Sequence, residues 1–509
     1  MLTTNKDKMD SLKITAMILG IFIVIVAGLF FSLFLYLIHE SEQLEYSCPD
    51  CNVILISVDT LRADHLGCYG YERDTSPNID SLADHSLLFE NAFSQSSRTT
   101  PSHMTMFTSL YPSVHSLGPP EPNITDILNP ERTIVDARCL SQSIKTLPEI
   151  LKENGYETAG FTGGGNVAPY LGFGRGFGEY NVYYTLFDND LILNETLSWI
   201  EENKKDKFFL FFHTYKVHSP YISPEPYFTM FDTNYSGKIL NSLDEIKGII
   251  NFSGSVNGNN SEWVRLSIGI GNAFWNSINK SSESDIEHIV STYDGSIRYV
   301  DNVIGSIIHT INELGIRNKT LIILTADHGE EFAEHGGLGH VELYDEIIHV
   351  PLIISIPDQK PKRFGDDVMS IDIMPTILGI LGTNANITMQ GTSIISTPLG
   401  KAEKKNNVVF SEISLGGERK SVRSNGWKYY FSSSNQDNEM LFNLAEDPKE
   451  LINLKHERPH VIYFLKEMLN KWSEQNSILK EHMVADKNTK VLINNETLEK
   501  LIALGYVDN

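Results

Sequence analysis

Asn52-Val-Ile-Leu-Ile-Ser-Val-Asp-Thr60 is an apolar run that stops on a carboxylate, and far along the chain Leu321-Ile-Ile-Leu-Thr-Ala-Asp-His-Gly329 repeats the pattern. Each run, rich in Val and Ile and bounded by polar residues, reads as a strand buried on both faces of a parallel sheet. In open sheets of this kind, ligands bind beyond the carboxyl ends of the strands. Asp59, Asp327 and His328 stand at those ends, and their donor types are those of a divalent-metal site. Singly, each motif also has a structural reading, because a strand-terminal Asp can cap the next helix and Asp-His-Gly can form a turn.

Between the two runs lies Ser97-Arg-Thr-Thr-Pro-Ser-His-Met-Thr-Met-Phe-Thr-Ser-Leu-Tyr-Pro112. Together with Val53-Ile-Leu-Ile-Ser-Val-Asp-Thr-Leu-Arg-Ala-Asp-His-Leu-Gly67, Ser76-Pro-Asn-Ile-Asp80, Leu343-Tyr-Asp-Glu346, Ile371-Asp-Ile-Met-Pro-Thr376 and Leu441-Phe-Asn-Leu-Ala-Glu-Asp-Pro448, it resembles the sulfatase family of the alkaline phosphatase superfamily. The resemblance covers nearly everything after the N-terminal apolar segment. It implies an α/β fold with a mostly parallel sheet sandwiched by helices, a small C-terminal α+β subdomain, and hydrolysis or transfer of an anionic ester. It also implies that Asp59, Asp327 and His328 bind one divalent metal, with Thr99 binding through its oxygen and serving as the nucleophile.

The departures from the family pattern carry equal weight. Sulfatases have Cys (or Ser)-x-Pro-x-Arg at this point and oxidise the first residue to formylglycine, whereas this chain has Thr99-Thr-Pro-Ser-His103, so no formylglycine is expected. A formylglycine hydrate has two hydroxyls, one to attack sulfur and one whose deprotonation expels sulfate; threonine has one. A phosphorylated threonine can be cleared by attack of water or an acceptor alcohol at phosphorus, so Thr99 favours phosphate mono- or diesters. The alternatives are a sulfatase working without formylglycine and a non-catalytic binding protein on the same scaffold. Thr60 replaces a second aspartate, and two carboxylates, an imidazole and an alkoxide suit manganese or zinc at least as well as calcium.

Several histidines follow from the same resemblance. His103 takes the place of the arginine that steadies the nucleophile. His218, in His213-Thr-Tyr-Lys-Val-His-Ser-Pro-Tyr221 after the aromatic strand Phe208–Phe212, matches the histidine that contacts the transferred group. His340 stands where many sulfatases hold sulfate with a lysine, and it could donate a proton to a leaving oxygen or bind a second metal. His335 in the same glycine-rich loop is a further candidate. Thr162 and Asn166 occupy the segment where another family lysine is missing.

Ile14 to Ile38 is almost wholly apolar and free of charge over ~25 residues, enough to cross a bilayer core of roughly 30 Å. Lys6, Lys8 and Lys13 precede it and no Lys or Arg follows it closely, which predicts a single-pass helix with residues 1–13 cytoplasmic and the rest outside. Residues 39–51 read as a linker, 52–400 as the catalytic domain with an insertion at 229–283, and 401–509 as the C-terminal subdomain. A formal charge of −24 over 509 residues argues against nucleic acid as a partner. Cys48-Pro-Asp-Cys51 precedes the first strand, so a short disulfide fits it better than a redox motif. Nothing in the chain selects a natural substrate or an oligomeric state.

Overall fold

The computed structural model describes residues 46–118, 139–164, 166–183, 189–232, 234–239, 273–399, 408–414, 417–433 and 438–484, with four positions in the N-terminal segment. The expected span 14–38 otherwise lies outside the described residues, as do the middle of the 229–283 insertion and the closing residues 485–509. Among the described residues, no helix is long and apolar enough to cross a membrane.

The strands, in chain order, are β1 (Asn52–Val58), β2 (Leu87–Phe93), β3 (Glu157–Gly163), β4 (Glu179–Tyr183), β5 (Phe208–Thr214), β6 (Thr320–Ala326), β7 (Glu331–Phe332), β8 (Leu338–Gly339), β9 (His349–Ser355) and β10 (Lys362–Met369). Eight of them form one sheet, in the order β10-β2-β9-β6-β1-β5-β3-β4, while β7 and β8 make a small ribbon. Every neighbouring pair in the large sheet is parallel except those that β9 makes with β2 and β6. The chain therefore has the mixed α/β fold with a mostly parallel sheet. β1, β5 and β6 are buried along their whole lengths, which explains why they carry continuous apolar runs rather than alternating ones.

The register places the site. Val58 pairs with Ala326 on one side and Thr214 on the other, so Asp59 and Asp327 leave adjacent strands at one level. The ten-residue helix α1 (Thr99–Thr108) starts at Thr99 and is buried throughout. The long helix α2 (Glu283–Glu313) is capped by Ser282 and covers the sheet with Ile289, Ile297, Val300, Ile304, Ile307 and Ile311, the three-and-four spacing of a single apolar face.

The C-terminal region forms a separate antiparallel sheet, β11 (Val408–Ile413), β12 (Arg419–Ser424), β13 (Trp427–Ser432) and β14 (Glu439–Asn443), beside helix α3 (Pro459–Met483). A buried charge cluster ties it to the main sheet. Lys428 Nζ lies 2.7 Å from both Asp345 Oδ1 and Glu450 Oε1, and Arg423 reaches Asp345 at 2.6 Å and Asp367 at 3.0 Å. Cys48 and Cys51 are disulfide-bonded, as the spacing predicts, whereas Cys68 and Cys139 are free thiols.

Lys428→Ala would leave two carboxylates facing each other in a buried pocket. Removing one partner of such a cluster is expected to cost roughly 3–5 kcal/mol. Urea denaturation should show that loss as a lowered midpoint, and an unchanged midpoint would mean the cluster does not hold the two parts together.

Candidate active site

Asp59, Asp327 and His328 converge where β1 and β6 end. They are wholly buried, and one ligand atom from each lies within 4.8 Å of the others. Asp327 Oδ1 accepts from the backbone N–H of Thr60 at 3.2 Å and of His328 at 2.9 Å, which leaves Oδ2 turned toward the cluster. Thr60 reaches Asp327 because it adopts φ 58°, a conformation costly for a β-branched residue. Its hydroxyl is turned back onto the Asp59 carbonyl at 2.8 Å, so it offers the cluster no ligand.

Thr99 completes the group from the N-terminus of α1. Its Oγ1 donates to Asp59 Oδ2 at 3.2 Å and lies 3.5 Å from His328 Nε2, while the Tyr215 hydroxyl donates to it at 3.3 Å. The positive end of a helix favours negative charge on that oxygen.

These residues fit a metal. Asp59 Oδ1 and Asp327 Oδ2 are buried without a hydrogen-bond partner. Burial and the neighbouring Asp327 push the Asp59 carboxyl well above the usual carboxylate range, since two charges this deep repel. A cation between them removes that conflict. Burial holds the His328 imidazole down at about 4, which keeps it in the neutral form that ligates metals. The separations Asp59 Oδ2 to Thr99 Oγ1 (3.2 Å), Thr99 Oγ1 to His328 Nε2 (3.5 Å) and His328 Nε2 to Asp327 Oδ2 (3.3 Å) bring all four residues close enough that one ion would be within reach of each.

The other expected residues divide. His340 belongs to the site: its ring is 4.5 Å from that of His328 and 5.2 Å from that of His218, and its Nδ1 lies 2.7 Å from Glu330 Oε1. His218 donates Nδ1–H to the Ser219 carbonyl at 2.9 Å, which leaves Nε2 for the chemistry. Burial lowers both imidazoles, and for His340 the Arg98 charge adds to it. Asn166 reaches the site indirectly, donating to Tyr215 at 2.5 Å.

His103 lies deeper than its arginine-like position suggests. Nε2 meets Ser57 Oγ at 2.8 Å and Nδ1 donates to the Thr99 carbonyl at 2.9 Å, so it holds Thr99 by its backbone rather than by its hydroxyl. His335 pairs with Glu346 at 3.1 Å and stacks on Tyr344, and Thr162 bonds the Asn181 carbonyl; neither contacts the cluster. Sequence reasoning missed Tyr215, Glu330 and the role of His213, although all three adjoin motifs that it singled out. Glu330 directly extends Asp327-His-Gly329, and that position was the available signal.

Comparison with known proteins gives the class. The family model described as Sulfatase matches residues 51–383, and one described as N-sulphoglucosamine sulphohydrolase, C-terminal, matches residues 333–475. The chain belongs to the sulfatase family, and with it to the hydrolases of ester bonds. It is 24% identical over 497 residues to an arylsulfatase of Clostridium perfringens (strain 13 / Type A), covering 85% of this chain and 98% of the relative. Arylsulfatase K of Bos taurus is 32% identical over 206 residues, 38% of each chain. Among solved structures, the phosphonate monoester hydrolase of Agrobacterium radiobacter gives a TM-score of 0.62 at 20% identity, covering 85% of this chain and 96% of that one. A protein solved in complex with its substrate D-glucosamine-2-N,6-O-disulfate gives 0.65 at 18% identity, covering 84% and 98%. At these identities the structural likeness shows the fold alone.

If the cluster holds a metal, chelation should lower the Tm of the purified protein and re-addition of manganese or zinc should restore it. A free ion at a hundred times its Kd contributes about 2.7 kcal/mol. A Tm indifferent to both treatments would count against the site.

Proposed function

We propose that this chain is a metal-dependent hydrolase or transferase of phosphate mono- or diesters that uses Thr99 as its nucleophile in place of formylglycine. The observation that carries the reading is the position of Thr99 Oγ1, within 3.5 Å of both Asp59 Oδ2 and His328 Nε2 and at the start of a buried helix. A divalent ion held by Asp59, Asp327 and His328 supplies positive charge that favours the deprotonated hydroxyl.

The chain's own groups account for the rest. The Thr99 proton points at Asp59 Oδ2, and Tyr215 donates to the oxygen that attacks. As the oxygen–phosphorus bond forms, the bond to the leaving oxygen breaks, and the proton released by Thr99 to Asp59 passes to that oxygen. Water or an acceptor alcohol then attacks phosphorus, loses its proton to the neutral imidazole of His218 or His340, and frees Thr99. Glu330 holds His340 through Nδ1 and is itself held by Tyr221 at 2.8 Å, so the histidine keeps one orientation through both steps. A sulfated Thr99 has no second hydroxyl with which to expel sulfate, and this favours phosphorus over sulfur.

The test uses paired aryl esters: a phosphate monoester, a phosphate diester and a sulfate, with the full chain in detergent and manganese, zinc or calcium added in turn. Phosphate-ester turnover well above sulfate is expected, and dominant sulfate turnover sinks the reading. Thr99→Ala should lose turnover by on the order of 10³-fold or more while still binding metal, and Thr99→Ser should keep a measurable rate.

We propose further that residues 14–38 anchor the enzyme and that its catalytic part faces outward. The support is the length and lack of charge of that segment and the lysines before it. The full chain should stay with membranes through alkaline extraction, and external protease should reach its C-terminal part in intact cells. Release by alkaline extraction, or protection from external protease, would refute the corresponding half.

A further inference from the structure

His213 takes no part in the chemistry above. It stands on β5, fully buried, and neither ring nitrogen makes a hydrogen bond of good geometry, although the Gly163 backbone interacts with the ring. An unmet polar group at that depth costs ~1–3 kcal/mol, so its retention calls for a reason. The register supplies one: His213 pairs with Ser57, one rung before the level at which Asp59 leaves β1, and its Nε2 lies 3.5 Å from Asp59 Oδ2. That is longer than a good hydrogen bond and within ion-pair reach.

The His103 ring meets that of His213 edge to face at 4.7 Å, and its Nδ1 is 3.7 Å from Asp327 Oδ2. Each metal-side carboxylate thus has an imidazole beside its Oδ2. Neither histidine belongs to the group whose ligand atoms lie mutually within 4.8 Å, which is Asp59, Asp327 and His328.

We infer that His213 is a positioning residue for the metal ligand Asp59, and that β5 thereby contributes to metal retention although it supplies no ligand. The inference rests on the reading of Asp59, Asp327 and His328 as the metal site. Partners of this kind fix the orientation of a ligating group, and their loss weakens metal binding by about 10–100-fold. The packing around His213 is aromatic, with Phe211 at 6.0 Å and Tyr215 at 5.1 Å between ring centroids, so a phenyl ring fits its surroundings.

The experiment titrates zinc into the full chain against a chromophoric chelator and compares the parent with His213→Phe and His213→Gln. The Phe variant keeps the ring and removes the nitrogens; the Gln variant places an amide N–H near the position of Nε2. Expected are a 10–100-fold loss of zinc affinity in His213→Phe, recovery of most of it in His213→Gln, and a Tm of the chelated Phe variant no lower than that of the parent. Equal affinity of parent and Phe variant overturns the inference, and so does a Gln variant as weak as the Phe variant. A parent that binds no zinc or manganese would instead refute the metal reading beneath it.

Discussion

Two carboxylates, Asp59 and Asp327, leave the ends of neighbouring parallel strands fully buried from bulk solvent. The repulsion between them is the constraint around which the site is arranged. Backbone N–H groups satisfy one oxygen of Asp327, a residue in a costly conformation delivers one of those groups, and the outward oxygens converge on a neutral imidazole and a hydroxyl. Strain at Thr60 and burial of like charges oppose folding on their own. One cation held among these donors would relieve the charge conflict, and the packed sheet holds the donors in place for it.

Two of the departures from the family pattern offset each other in charge. Thr60 removes an anion where sulfatases have a second aspartate, and His103 removes a cation where they have an arginine. Burial keeps the His103 imidazole lowered and thus neutral. These two changes together remove one charge of each sign, whereas His340 and the missing lysine near Asn166 each remove a further cation of the family pattern. A lone change would have left either a surplus of negative charge or an unpaired guanidinium in the core, and both are expensive. Fewer oxygen donors and an imidazole suit manganese or zinc at least as well as calcium.

How much of this was legible in the sequence depended on whether a residue's role is set along the strand or across it. β1 and β6 were readable because burial on both faces forces continuous apolar runs, and strands of that kind bind ligands at their carboxyl ends, which placed Asp59, Asp327 and His328. Thr99 was readable from its motif. The reversal of β9 was not, since His349-Val-Pro-Leu-Ile-Ile-Ser355 is buried in the same way whichever direction it runs. His213 sits inside an aromatic strand, where a histidine looks like core, and only pairing with β1 brings it to Asp59. Thr162 looked like a site residue for the opposite reason: it ends a strand beside β5, but its hydroxyl is spent on the Asn181 carbonyl.

The outer wall shows where specificity can enter. Tyr221 donates to Glu330, Glu330 holds His340, and Phe274 and Trp275, from the returning end of the 229–283 segment, pack against the Tyr221 ring at 5.6 and 6.2 Å. The metal-side residues lie on strand ends whose register cannot shift without turning the buried faces outward. His340 instead depends on a chain of three side-chain contacts that begins at the helical turn 273–277. Variation in the segment that carries this turn can therefore reposition His340 while Asp59, Asp327, His328 and Thr99 stay fixed, so the proposed nucleophile and metal position could serve esters of different shape.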